Sequence, residues 1–315
     1  MIKAVVFSIA IIIASFQPAW GGALNIGINN IGLSLGNSRQ FSGLRVNLSD
    51  EGVRAINGVN LTLWKPGHNP RATINGISLG LVGAAGRELN GLALGGVGLG
   101  ASRVNGVAVG LIGLGTEESL VGIGVGGIGI GGGDLVGIFV GGIGLGAGRV
   151  SGLAVGGIGI GVQAFRGVGL GGIGLGGGDI KGVVLGGVGV GGENVTGLAL
   201  GGIGVGGEDL RGIFAGGVGV GCEELEGVAI GGVGVGGDEL VGVSIGGVLS
   251  KFQYAKGLAI GSWNRAHIEM TGVQIGIVNA TDVLNGVQIG VLNYAANNPP
   301  LLRLLPLANV HFGRE

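Results

Sequence analysis

The sequence predicts an all-β fold, a single-domain β-solenoid of about seventeen stacked repeats, mostly fifteen residues each, with two short strands and a turn per repeat. Three observations predict it. Glycine opens a repeat at Gly122, Gly137, Gly152 and so on to Gly272, ten consecutive steps of fifteen. Inside each repeat apolar residues alternate with period two, which is the strand signal and not the helical one. Small and polar residues (Gly, Asp, Glu, Asn, Arg) gather once per repeat, and that is turn chemistry.

The first 21 residues read as a secretory signal. Lys3 supplies the positive charge, Val5 to Phe16 is an apolar stretch of signal length, and small residues at Ala19 and Gly21 allow cleavage after Gly21, with Ala23 as the alternative. Residues 22–57 are expected to cap the first end of the solenoid and to hold irregular repeats. Flanking repeats open at Gly43, Gly58, Gly76, Gly91, Gly106 and Gly286. Residues 294–315, with Pro299, Pro300 and Pro306, are expected to cap the other end, because proline cannot extend a ladder.

Positions are counted from the opening glycine. Apolar residues occupy positions 2, 4, 7 and 9, and position 14 is apolar again (Leu135, Val150, Phe165, Ile180). All five are expected to face the interior, with position 14 anchoring the turn. Five such columns overfill a fifteen-residue coil, and overpacking is costly. One column turned outward would leave an apolar stripe, suited to self-association or to a membrane surface. Glycines at positions 1, 5, 6 and 10 mark corners. Those at position 8, including Gly189, Gly204 and Gly219, stand in mid-strand and are read as a flat outer face that another surface can approach closely.

Composition removes several classes. There are 82 glycines in 315 residues, but only 11% of the chain is charged, which is not a disordered composition. Six prolines and no three-residue glycine period exclude collagen. A formal net charge of −1 gives no field for nucleic acid. The single Cys222 rules out an intramolecular disulfide and a cysteine-based metal cluster within one chain.

Chemistry-bearing residues are sparse. Gly122 to Gly127 satisfies G-x-G-x-x-G, but in so glycine-rich a chain that match carries no information, and no helix follows it. An acidic ladder runs along the turn edge; Glu208, Asp209, Glu223 and Glu224 are its weak candidates for a divalent cation, against the simpler reading of a solvated edge. His68, His267 and His311 lie in distant repeats. The repeat from Gly257 has the most varied chemistry, and Trp263, Asn264, Arg265 and His267 are the place to look for a partner contact. Asn264, Asn279 and Asn293 fall at position 8 by counting, and Gln274 and Gln288 at position 3; stacked amides there are expected to bond to one another.

The segment GVQIGIVNATDVLNGVQIGVLNYAANNPPLLRLLPLANVHF, residues 272–312, resembles the leptospiral-type surface-repeat proteins of several bacterial phyla. Their repeats read G-[VIL]-Q-[IL]-G-φ-φ-N and end in an Asn-Pro-rich segment, a Leu-Pro run and a terminal His-Phe. The resemblance covers residues 257–312 closely and the glycine-rich middle loosely. It implies an exported, envelope-associated protein and brings no catalytic residues with it.

The expected function is that of an exported cell-envelope or surface protein with a structural, adhesive or self-associating role, at the cell surface, periplasm or outer membrane of a bacterium. No enzyme activity, cofactor, nucleic acid or small-molecule substrate is expected. The alternative is an outer-membrane β-barrel. Against it, the Gly-Gly pair at positions 5 and 6 resets the alternation after five residues, whereas a spanning strand needs about nine to eleven.

Overall fold

A computed structural model describes residues 22–313. The signal-peptide reading of residues 1–21 lies outside the described residues. The chain divides into two compact units, Met1–Gly156 and Gly157–Glu315. Over the described residues each is a β-solenoid. Strands of successive coils pair in parallel, and within the regular repeats each residue meets the one fifteen later, as in Gly182↔Gly197 and Gly197↔Gly212. The barrel alternative is thereby overturned: its strands would alternate in direction around a closed sheet, and here neighbouring coils run the same way.

Seventeen glycines from Gly43 to Gly286 have φ between +116° and +153°, and they are the same seventeen that open the repeats in the sequence. Glycine is required here twice over. L-residues rarely adopt this φ, and a Cβ on Gly197 or Gly212 would strike the carbonyl oxygen of the opening glycine one coil earlier. Of the glycines read as corners, at positions 1, 5, 6 and 10, only position 1 has positive φ in the regular repeats.

The coil has three straight segments. A strand typically runs thirteen residues, from position 8 of one repeat to position 5 of the next, as in Gly174–Gly186 and Gly189–Gly201. It bends at the opening glycine and again at position 12, where the ladder steps from Val162↔Gly177 to Ala164↔Asp179. The third corner is at positions 6 and 7. The two strands per repeat foreseen from the alternation appear separately only where the ladder breaks, at Gly219–Gly221 with Glu224–Gly231, and at Gly234–Gly236 with Glu239–Gly246.

The core consists of columns 3, 9 and 14. Position 14 is buried throughout the regular repeats, from Leu135 and Val150 to Leu210 and Leu240. Position 9 is buried from Leu99 to Val235. Position 3, the variable residue of the pattern, is buried as well, and side-chain sizes are matched to their neighbours. A Cβ on Gly124 would lie 3.0 Å from Phe139, and one on Gly169 3.0 Å from Phe165. Positions 2, 4 and 7, expected inside, face out. Ile213, Ile230 and Ile203 are examples. The reason is parity. Alternation continues unbroken through the opening glycine, so burying position 14 points 3 and 5 inward and 2 and 4 outward. The corner at 6–7 interrupts it and turns 7 outward, 9 faces in again, and the bend at position 12 shifts the parity by one residue so that 14 is inside.

At the start, Leu24–Ile28 and Ile31–Leu35 form an antiparallel hairpin whose two-residue loop, Asn29-Asn30, has φ of 51° and 60°. Two positive φ values identify a type I′ turn, for which asparagine is well suited. The second hairpin strand then pairs in parallel with Gln40–Asn47. At the other end, Leu304–His311 folds back antiparallel on the last coil.

Candidate interaction surface

Outside the core columns the coil sorts its chemistry by position. From Gly122 to Val248 every Asp, Glu, Lys and Arg is at position 12, 13 or 15. Over the same stretch positions 2, 4 and 7 hold only Val, Ile, Leu and one alanine, Ala215. One side of each coil is therefore apolar and the other charged. Position 7 is exposed in every coil from Ile128 to Val248. Exposed aliphatic side chains in register on successive coils make a continuous apolar face within each unit, not scattered surface residues. In the first unit that face includes an apolar groove, lined by Leu61, Leu79, Leu94 and Val109 with Leu63, Leu81 and Leu111 along its edge.

The charged side is laced across coils. Arg103 is between Glu88, at 3.5 Å, and Glu118, at 2.5 Å. Arg149 meets Asp134 at 3.3 Å, and Arg211 meets Asp209 at 3.2 Å and Glu226 at 3.5 Å. These pairs are largely solvated and contribute little each. Beside them runs an exposed asparagine ladder, Asn57–Asn75–Asn90–Asn105, linked by side-chain hydrogen bonds of 2.8 Å.

Glu208, Asp209, Glu223 and Glu224 lie on this side as neighbouring rungs, with Asp209 opposite Glu224 in the ladder. Asp209 is engaged by Arg211. Among the described residues, no three His, Cys, Asp or Glu side chains form a group that could hold a metal ion. Gly189, Gly204 and Gly219 are half-buried. A Cβ on Gly189 or Gly204 would point along the stack, 3.2 Å from the next coil's carbonyl oxygen. Open space above glycine is found instead at position 10, where nothing lies within 4 Å of a Cβ on Gly161 or Gly221.

The four residues singled out in the Gly257 repeat are divided by the fold. Trp263 is exposed. Asn264 is fully buried and pairs with Ser250, in column 9, so the count of fifteen had misplaced it at position 8. The corner before it is one residue shorter, and the ladder regains that residue between Ala266 and Glu269, so the step of fifteen survives. Arg265 donates through Nε to Nδ1 of His267 at 3.0 Å. Burial, then the charges of Arg265 and Lys251, holds the His267 pKa below its ordinary value, with Asp282 opposing. His267 borders a cavity with Asp238, Lys251 and Gln253.

The expected amide ladders form inside the core. Asn264 donates to Asn279 at 2.8 Å, Asn279 to Asn293 at 2.7 Å, and Gln288 to Gln274 at 2.8 Å. Burial, and then Asp238, pushes the thiol pKa of the half-buried Cys222 up to about 11.

One buried cluster had no warning in the repeat pattern. Arg45 is completely buried in column 3 and forms an ion pair with Asp50. It also donates to Asn60 at 2.6 Å and to Asn37 at 2.7 Å. Thr62 donates to Asp50 at 2.6 Å and Asn47 does so at 3.0 Å. The available signal was the place of Arg45 and Asn60, both at position 3 of their repeats, once column 3 is known to be core. No protein family, curated protein or solved structure matches this chain.

Proposed function

We propose that this chain is an exported, envelope-associated repeat protein with a structural or adhesive role, and that its apolar face at positions 2, 4 and 7 is the working surface. The observation that carries this reading is the sorting of residues around the coil, with charge confined to positions 12, 13 and 15 from Gly122 to Val248. Solubility alone does not require one whole side to be free of charge, and burying such a face against a partner is favourable. The leader-like residues 1–21 and the resemblance over residues 257–312 to leptospiral-type surface-repeat proteins support export to the envelope. The role is passive: a repeated, self-supporting surface that holds another surface against it.

The test is fractionation of a diderm bacterial host expressing the full chain, with the mass of the purified product measured. The expected product is found in the envelope fraction and has been cleaved after Gly21 or Ala23. An uncleaved product in the cytoplasmic fraction would reject the envelope reading.

A further inference from the structure

We infer that the covering partner of the apolar face in the second unit is a second copy of this chain, packed sheet face to sheet face. The inference deepens the functional reading above and rests on the same surface. Three observations favour this occupant.

The first is area. In the coil opened by Gly167, Val168 is 42% exposed, Leu170 36% and Ile173 53%. That leaves on the order of 200 Å² of apolar side chain per coil. The six coils from Gly167 to Val248 together offer about 1,000 Å², beyond the few hundred Å² of an ordinary monomer patch and above the ~800 Å² per partner of a standard interface.

The second is shape. Columns 4 and 7 are ridges, and the exposed position-6 glycines between them, from Gly172 to Gly247, form a trough. The trough is fixed by the backbone, because a Cβ on Gly187, Gly202 or Gly217 would strike the carbonyl oxygen of the coil before it. Ridge, trough and ridge at one coil spacing are self-complementary. A two-fold axis places a ridge of each copy in the trough of the other, which is the geometry of an isologous contact between sheets about 10 Å apart.

The third is charge, and it argues against a lipid surface. Residues 167–248 carry nine acids against two bases, Lys181 and Arg211, and no Trp or Tyr. Interfacial anchors use the opposite set, basic residues with aromatics at the headgroup level. In a face-to-face dimer the acidic edges lie on the far sides of the two copies and do not oppose each other.

The test is the solution mass of the purified full chain by sedimentation, with circular dichroism to verify folding. A dimer is expected at micromolar concentration. Replacing Leu200, Ile203 and Val218 together by glutamate should convert it to monomer with the β spectrum retained. Glu208→Lys with Glu223→Lys, on the charged side, should leave it dimeric. A spin label at Ile203→Cys in a Cys222→Ser background should show strong coupling between copies, and the label gives a readout if the triple variant fails to fold. A monomeric wild type, a dimer dissociated by the charged-side pair, or uncoupled labels would overturn the inference. So would a monomer that binds phosphatidylcholine vesicles, which would identify lipid as the cover. None of these outcomes bears on whether the chain is exported, so the two readings fail separately.

Discussion

The coils from Gly167 to Val248 and those from Gly257 to Ala295 share one backbone and fill it with opposite chemistry. In the first set, column 9 is Leu175, Val190, Val205, Val220 and Val235, and column 3 includes Val184, Ala199 and Phe214. In the second set, column 9 is Asn264, Asn279 and Asn293, and column 3 ends in Gln274 and Gln288, all buried. The boundary falls in the coil opened by Gly242, where Ser244 and Ser250 occupy columns 3 and 9 and bond to each other at 2.8 Å. The lesson is that a solenoid column accepts polar side chains when each rung satisfies the next. An amide that donates up the stack and accepts from below pays no lasting desolvation penalty. Apolar rungs need no such partner, and for the same reason do not specify who their neighbours are.

The largest test asks whether the two sets do share a backbone. Gly212→Val and Gly272→Val each place a side chain at φ of 135° and 131° and against the preceding coil's carbonyl. Each should cost about 3 kcal/mol or more, read as a fall in the urea midpoint or as insoluble protein. Tolerance of one substitution but not the other would mean that the sets differ in backbone as well as core.

A smaller effect separates the two cores. Asn279→Leu removes both its ladder bonds, leaving Asn293 Oδ1 without its donor and Asn264 Nδ2 with only backbone acceptors. The expected loss is about 2–3 kcal/mol. Replacing Asn264, Asn279 and Asn293 together by valine rebuilds the column of the middle coils and should cost no more than the single change. A triple variant that loses three times as much would show that the amides act through local contacts and not as a ladder. The smallest effect concerns the boundary. Ser250→Ala should cost about 1 kcal/mol, and adding Ser244→Ala should cost little more, because the two hydroxyls satisfy each other. Strictly additive losses in thermal unfolding would reject the pairing.

The candidate surface was partly legible. That apolar residues exceed what a narrow coil can hold follows from counting five per repeat, and an outward stripe was the natural consequence. The count gave one column where the fold exposes three. It also assigned Gly189, Gly204 and Gly219 to an open face, although their substituents would point along the stack. The exposed columns follow from the bend at position 12, which shifts the parity so that burying position 14 turns 2 and 4 outward.

By itself the sequence determined the period, the parallel stacking of equivalent positions and the glycine that opens every repeat. All three follow from local geometry, since only glycine fits a positive φ beneath another coil's carbonyl. Position 14 as core followed as well, because an apolar residue in a polar segment has few other uses. Only the tertiary structure decided which side of the strand faces in. Side-chain parity carries through the opening glycine, is interrupted at the 6–7 corner and is shifted by one at position 12, and the corners are held by ladder bonds to neighbouring coils that no single repeat can form. The same coupling placed Asn264 beside Ser250. A residue lost at one corner and regained at the next leaves the fifteen-step count intact while moving an amide into the core.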